Sequence, residues 1–99
     1  MVKAKPNRES LKELRRLFRR NGYVRKQNRA RLAADGRDYK KGDEVRLVAN
    51  SMAELRLVRR LLRQAGFKAG KHFAKGHQWR QPLYGREQVS RFLTLIGEV

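Results

Sequence analysis

The sequence predicts an α+β domain in the order αββαββα, a four-stranded antiparallel sheet with its helices on one face. Three observations predict it. Apolar residues recur at helical spacing in three stretches, around residues 11–20, 52–65 and 86–96. Between these stretches lie shorter segments with strand character, residues 23–29, 44–49 and 67–84, separated by glycine and polar turns. At 99 residues the chain has the length of one domain with one modest core. Residues 1–9 read as a basic flexible arm and residues 10–99 as that single domain.

The elements follow in order. Residues 1–8 are basic, with Pro6 and Asn7 and no apolar anchor. The first helix is expected over about 11–20, with Leu11, Leu14, Leu17 and Phe18 on one face and Arg15, Arg16, Arg19 and Arg20 on the other. Ser10 reads as its N-cap, with Glu13 completing a capping box. Gly22 reads as a left-handed exit. Residues 23–29 fit an exposed strand, and residues 30–42, with Asp35-Gly36 and Gly42-Asp43, a polar loop.

Residues 44–49 are the clearest strand, with Val45, Leu47 and Ala49 pointing one way. Ser51 and Glu54 form a second capping box, opening a helix with Leu55, Val58, Leu61, Leu62 and Ala65 on one stripe and Gly66 as its exit. Residues 67–84 read as a hairpin turning near Lys75-Gly76, with a bulge at Gly70 and with Trp79 and Leu83 in the core. The last helix begins after Gly85, buries Val89, Phe92, Leu93 and Ile96, and stops at Gly97.

Charge narrows the classes of partner. The formal net charge is +17, from 26 Lys and Arg against 9 Asp and Glu. Such an excess repels itself on folding, and an anionic partner is its commonest use. Between residues 14 and 34 there are eight basic side chains and no acidic one. The absence of cysteine excludes disulfides and thiolate metal sites. No apolar run is long enough for a membrane span, and the N-terminus lacks the apolar centre of a signal peptide. The expectation is a cytoplasmic protein with no membrane association.

Residues 14–22, LRRLFRRNG, align one for one with the motif of the LAGLIDADG homing endonucleases through Leu14, Leu17, the large apolar Phe18 and Gly22. The element order over residues 10–97 resembles one half of that family. The resemblance implies a saddle-like sheet face set in the DNA major groove. It also implies that close helix pairing and metal chemistry are lost here. Arg15, Arg16, Arg19 and Arg20 stand at the four intervening positions, in a motif whose small residues let two such helices pack closely. Asn21 stands where the family has a metal-binding acid, and an amide brings no charge to a divalent ion.

On such a face, Val24 inward leaves Tyr23, Arg25, Gln27 and Arg29 outward; Val45 and Leu47 inward add Arg46. Trp79 and Leu83 inward add Arg80 and bury Gln81, which then needs partners. Lys68, Lys71 and Lys75 extend the surface, and Arg15 and Arg19 are candidates for phosphate contact. Arg56, Arg59, Arg60 and Arg63 read as the solvated face of their helix. His72 and His77 have no further ligands nearby, so no metal site, catalytic residue or cofactor is expected. No Ser-His-Asp, phosphate-loop or dinucleotide pattern occurs. The expected function is non-catalytic nucleic-acid binding, duplex DNA before RNA, by a monomer or a dimer not built on the first helix. DNA binding would make it nucleoid-associated. An RNA-binding or ribosome-associated protein is the alternative, followed by an active homodimeric endonuclease.

Overall fold

The computed structural model describes residues 8–26 and 43–97. Its elements are α1 (Arg8–Asn21), β1 (Tyr23–Arg25), β2 (Glu44–Ala49), α2 (Met52–Gln64), β3 (Phe73–Lys75), β4 (Gln78–Tyr84) and α3 (Arg86–Leu95). The strands form one antiparallel sheet in the order β1-β2-β4-β3. This is the expected α+β architecture, three helices against a four-stranded sheet.

Strand alternation decides which face is covered. In β2, Val45, Leu47 and Ala49 are buried and share a face with Val24 of β1 and with Trp79, Gln81 and Leu83 of β4, by register. All three helices pack on this side. Leu14 and Leu17 of α1, Val58, Leu61 and Leu62 of α2, and Val89 and Phe92 of α3 join Val45, Leu47 and Leu83 in one cluster. Phe92 is its hub, meeting Phe18 and Phe67 edge-on with ring centroids 5.7 Å away in each case.

Several local expectations change. The helix α1 begins at Arg8, inside the stretch read as an arm, so Ser10 is not its N-cap. Ser10 is buried within the helix and its hydroxyl donates to Gln64 Oε1 at 3.3 Å, while Glu13 pairs with Arg16. Ser51 does cap its helix: Glu54 N–H donates to Ser51 Oγ at 3.1 Å, while Glu54 Oε1 reaches one residue before the cap and accepts from Asn50 N–H at 3.0 Å. Gly22 does not take a positive φ. It is needed for room, since a Cβ there would lie 2.8 Å from the Phe18 ring and 2.9 Å from the Phe18 carbonyl oxygen.

Gly70 precedes β3 and makes no bulge within it. Its N–H bonds the Pro82 carbonyl at 3.0 Å, and a Cβ would strike the Tyr84 ring at 2.5 Å. The β3–β4 turn falls where expected, with Gly76 at φ 62 and a non-positive φ at His77, the arrangement of a type II′ turn. Trp79 is half-buried at the end of the sheet, edge-on to His72, rather than part of the central cluster.

Helices α1 and α2 run antiparallel, pinned by Ser10–Gln64 at one end and by Arg20–Glu54 at the other. Arg20 Nη1 reaches Glu54 Oε2 at 3.1 Å and Nη2 donates to the Val48 carbonyl at 3.0 Å. Hydrogen bonding from Arg20 holds the Glu54 carboxyl below its ordinary value of 4.5, outweighing the burial that pushes it up.

Two predictions follow from this packing. Gly22→Ala lowers unfolding stability by about 1–3 kcal/mol, read from the urea midpoint, through the clash with Phe18 rather than through backbone strain. Folding favours ionised Glu54, so the stability it contributes is complete above 4.5 and is lost as pH falls through the lower folded-state value. Arg20→Gln therefore lowers stability at neutral pH by about 1 kcal/mol and flattens that part of the acid-side decline. An unchanged pH profile in the variant refutes this.

Candidate functional site

The second face of the sheet carries no helix among the described residues. Register arranges its side chains in rows running across the strands. Arg25, Glu44 and Tyr84 form one row; Tyr23, Arg46 and Pro82 the next; then Val48, Arg80 and Phe73; then Gln78 and Lys75. Rows two residues apart are separated by about 7 Å along the strands. The described array holds four cations, Arg25, Arg46, Arg80 and Lys75, against one carboxylate, Glu44.

That carboxylate is submerged. Glu44 is 3% exposed, accepts from Arg46 Nε at 2.9 Å, and lies 3.5 Å from Arg25 Nη1. An approaching anion thus meets guanidinium groups and not the acid beneath them. Arg25, at the sheet edge on β1, keeps a side chain 49% exposed. Lys75 and Tyr84 are exposed as well, Tyr84 at 39%.

The centre of the array is flatter than the pattern implied. The Arg46 guanidinium meets Glu44 on its own strand, the Tyr23 hydroxyl at 3.4 Å on β1, and the Phe73 ring from β3 at 5.0 Å. It lies across the sheet, with Val48 and Pro82 buried on the same face. Arg46 is thus first a cross-strand tie.

Arg80 is outward, as expected, and its Nη1 donates to Gln78 Oε1 at 3.1 Å. Its Nε is buried with no hydrogen-bond partner among the described residues. An unmet buried donor costs about 1–3 kcal/mol, and because this Nε is sealed beneath the surface, only the outer nitrogens of Arg80 face a ligand. Tyr23 lies between the two arginines. Burial pushes its hydroxyl pKa up, but hydrogen bonds and positive charge from Arg46 and Arg80 outweigh that and hold it below 10.0.

Gln81 is fully buried on the helix side, and its partners come from an unexpected place. Arg59 of α2 turns inward and donates to Gln81 Oε1, while Gln81 Nε2 donates to the Gly70 carbonyl at 2.7 Å and the Pro82 carbonyl at 3.0 Å. Arg59 is therefore structural, unlike the exposed Arg56, Arg60 and Arg63. Nothing in the period of α2 singles it out; the signal was the unpaired amide of Gln81 across from it.

The remaining candidates divide. Lys68 and Lys71 sit in the connection between α2 and β3, off the strands; Gln88 pins the Lys68 backbone through its N–H at 2.7 Å and its carbonyl at 3.1 Å. Arg15 and Arg19 project from α1 on the opposite side of the domain, so the structure does not bring them to the strand array. Gln27 and Arg29 lie outside the described residues. Among the described residues no three His, Cys, Asp or Glu side chains converge as metal ligands, and no helix is long and apolar enough to cross a membrane.

No family model, curated protein or solved structure matches the chain.

The Tyr23 hydroxyl supplies a direct check of the array. Its ionisation, isolated by the difference between the chain and Tyr23→Phe in ultraviolet titration, falls below 10.0. Arg80→Gln moves it upward by removing one of the two cations that favour the phenolate, and a titration unmoved by Arg80→Gln rules out the contact.

Proposed function

We propose that the chain is a non-catalytic nucleic-acid-binding domain with a LAGLIDADG-like fold, taking duplex DNA against the second face of its sheet. The observation that carries this reading is the burial of Glu44 beneath Arg25 and Arg46, which leaves the face cationic at its surface. A polyanion gains affinity there by releasing condensed counterions. Arg25 and Lys75 are exposed on the two edge strands, and Arg80 lies between them, half-buried, on the same face. These three contact phosphates and base edges, while Arg46 holds the surface flat and orients Tyr23.

Lack of catalysis is part of the proposal. Asn21 stands at the position of the family's metal-binding acid, and its Oδ1 lies 3.4 Å from Arg20 Nε. A cationic neighbour at that point disfavours a divalent ion, and an amide cannot offset it. The element order and the α1 residues Leu14, Leu17 and Phe18 support the family-level fold, because all three pack inward as a motif helix of this kind requires.

A salt titration of affinity for a short duplex tests the reading. Affinity falls by orders of magnitude between about 50 and 200 mM salt, and a dependence close to flat refutes the electrostatic mode. Neutralising Arg25, Lys75 and Arg80 to Gln lowers the slope of log K against log salt by roughly 2.5–3. A structured RNA competitor that displaces the duplex at equal concentration shifts the assignment from DNA to RNA.

A further inference from the structure

The cations the sheet does not use are organised too. On α1, Lys12, Arg15, Arg16 and Arg19 are all exposed and recur at i, i+3, i+4 and i+7. They fall within an arc of about 100°, directly opposite the buried Ser10, Leu14 and Leu17. Because those buried residues point into the core between helices and sheet, the stripe points away from the sheet face. Glu9 and Glu13 lie on one flank, and Glu13 pairs with Arg16.

Like charges four apart on a helix repel, and this stripe contains two such pairs, Lys12–Arg16 and Arg15–Arg19. The pairing of Glu13 with Arg16 offsets part of that repulsion, and the stripe keeps a net positive charge. The stripe spans about 10 Å of helix, a length over which duplex DNA presents roughly six phosphate charges. Charge complementarity thus fits the same class of partner as the sheet face, on the far side of a full helix diameter and a sheet.

We propose that the outward stripe of α1 is a second duplex-binding surface, so that one copy of the chain bridges two DNA segments. This rests on the reading of the sheet face given above. The sheet holds one segment, the stripe engages the backbone of another, and the helix layer keeps the two apart. Recognition at the stripe is by phosphate alone, since a convex helix face bearing flexible cations brings positive charge without an array to read bases.

The experiment uses the full chain, one immobilised duplex and a second fluorescent duplex in solution. The chain retains the second duplex on the surface. Combined Lys12→Gln, Arg15→Gln and Arg19→Gln, at exposed positions, leaves affinity for a single duplex within about threefold and reduces capture of the second at least about tenfold. Circular dichroism confirms that this variant keeps its helices. If the chain binds the immobilised duplex but captures no second one, bridging is wrong while the sheet reading stands. Undiminished capture by the triple variant also overturns the proposal, because it shows bridging by self-association through sheet faces. Capture of a folded RNA hairpin in preference to the second duplex overturns the choice of occupant. If neither duplex is bound at all, both readings fail together.

Discussion

The alternation of β2 is the constraint on which the rest of the molecule depends. Six residues, Glu44–Ala49, send Val45, Leu47 and Ala49 to the helices and Glu44, Arg46 and Val48 to the other side. Flanked by β1 and β4, this strand fixes the parity of both neighbours through its register. A slip by one residue would put Arg46 into the apolar cluster and expose Val45 and Leu47. The buried pairing of Glu44 with Arg46 reinforces the choice, since neither group tolerates an apolar site alone. The same alternation that builds the core therefore also builds the cationic face.

Arginine serves two purposes here, as a tie between elements and as surface charge. Arg20, Arg46 and Arg59 are spent internally. Arg20 joins α1 to α2 and to the Val48 carbonyl, Arg46 spans the sheet, and Arg59 satisfies Gln81. Each uses the planar fork to meet several acceptors at once, which a lysine ammonium does less well. By contrast Arg15, Arg16, Arg19 and Arg25 stand in solvent. Counting cations in the sequence overstates the surface available to an anion. The distinction matters at Arg46, which is among the more buried arginines and yet shapes the face most.

Much of this was readable from the sequence because strand and helix periods are local properties. The αββαββα order, the boundaries of β2 and α3, the turn at Gly76 and the outward facing of Arg25, Arg46 and Arg80 all follow from them. What escaped the reading depended on distant partners. The patterns at Ser10–Glu13 and Ser51–Glu54 are alike in sequence, yet only the second caps a helix, because Gln64 lies opposite Ser10 and α1 extends past it. Arg59 looked solvated by its period, and its role became visible only with Gln81 beside it. Gly22 suited a helix exit on composition, but its smallness answers to the Phe18 ring rather than to backbone twist.

The placement of charge on α1 follows from the same one-sided core. A sheet covered on one face needs a helix whose inner side is apolar, and Leu14, Leu17 and Phe18 supply it. On the outer side Lys12 and Arg15 lie beside Leu95 and Ile96, and Arg16 pairs with Glu13, yet the stripe as a whole stays positive. The core thus accounts for the inner half of the helix, and local pairing offsets only part of the charge on the outer half. Under the reading proposed above, a polyanion seated along α1 itself would ease that repulsion. The stripe and the sheet face lie a helix layer and a sheet apart, beyond the Debye length of about 8 Å at physiological ionic strength, so each meets its polyanion largely independently, with salt as the common control.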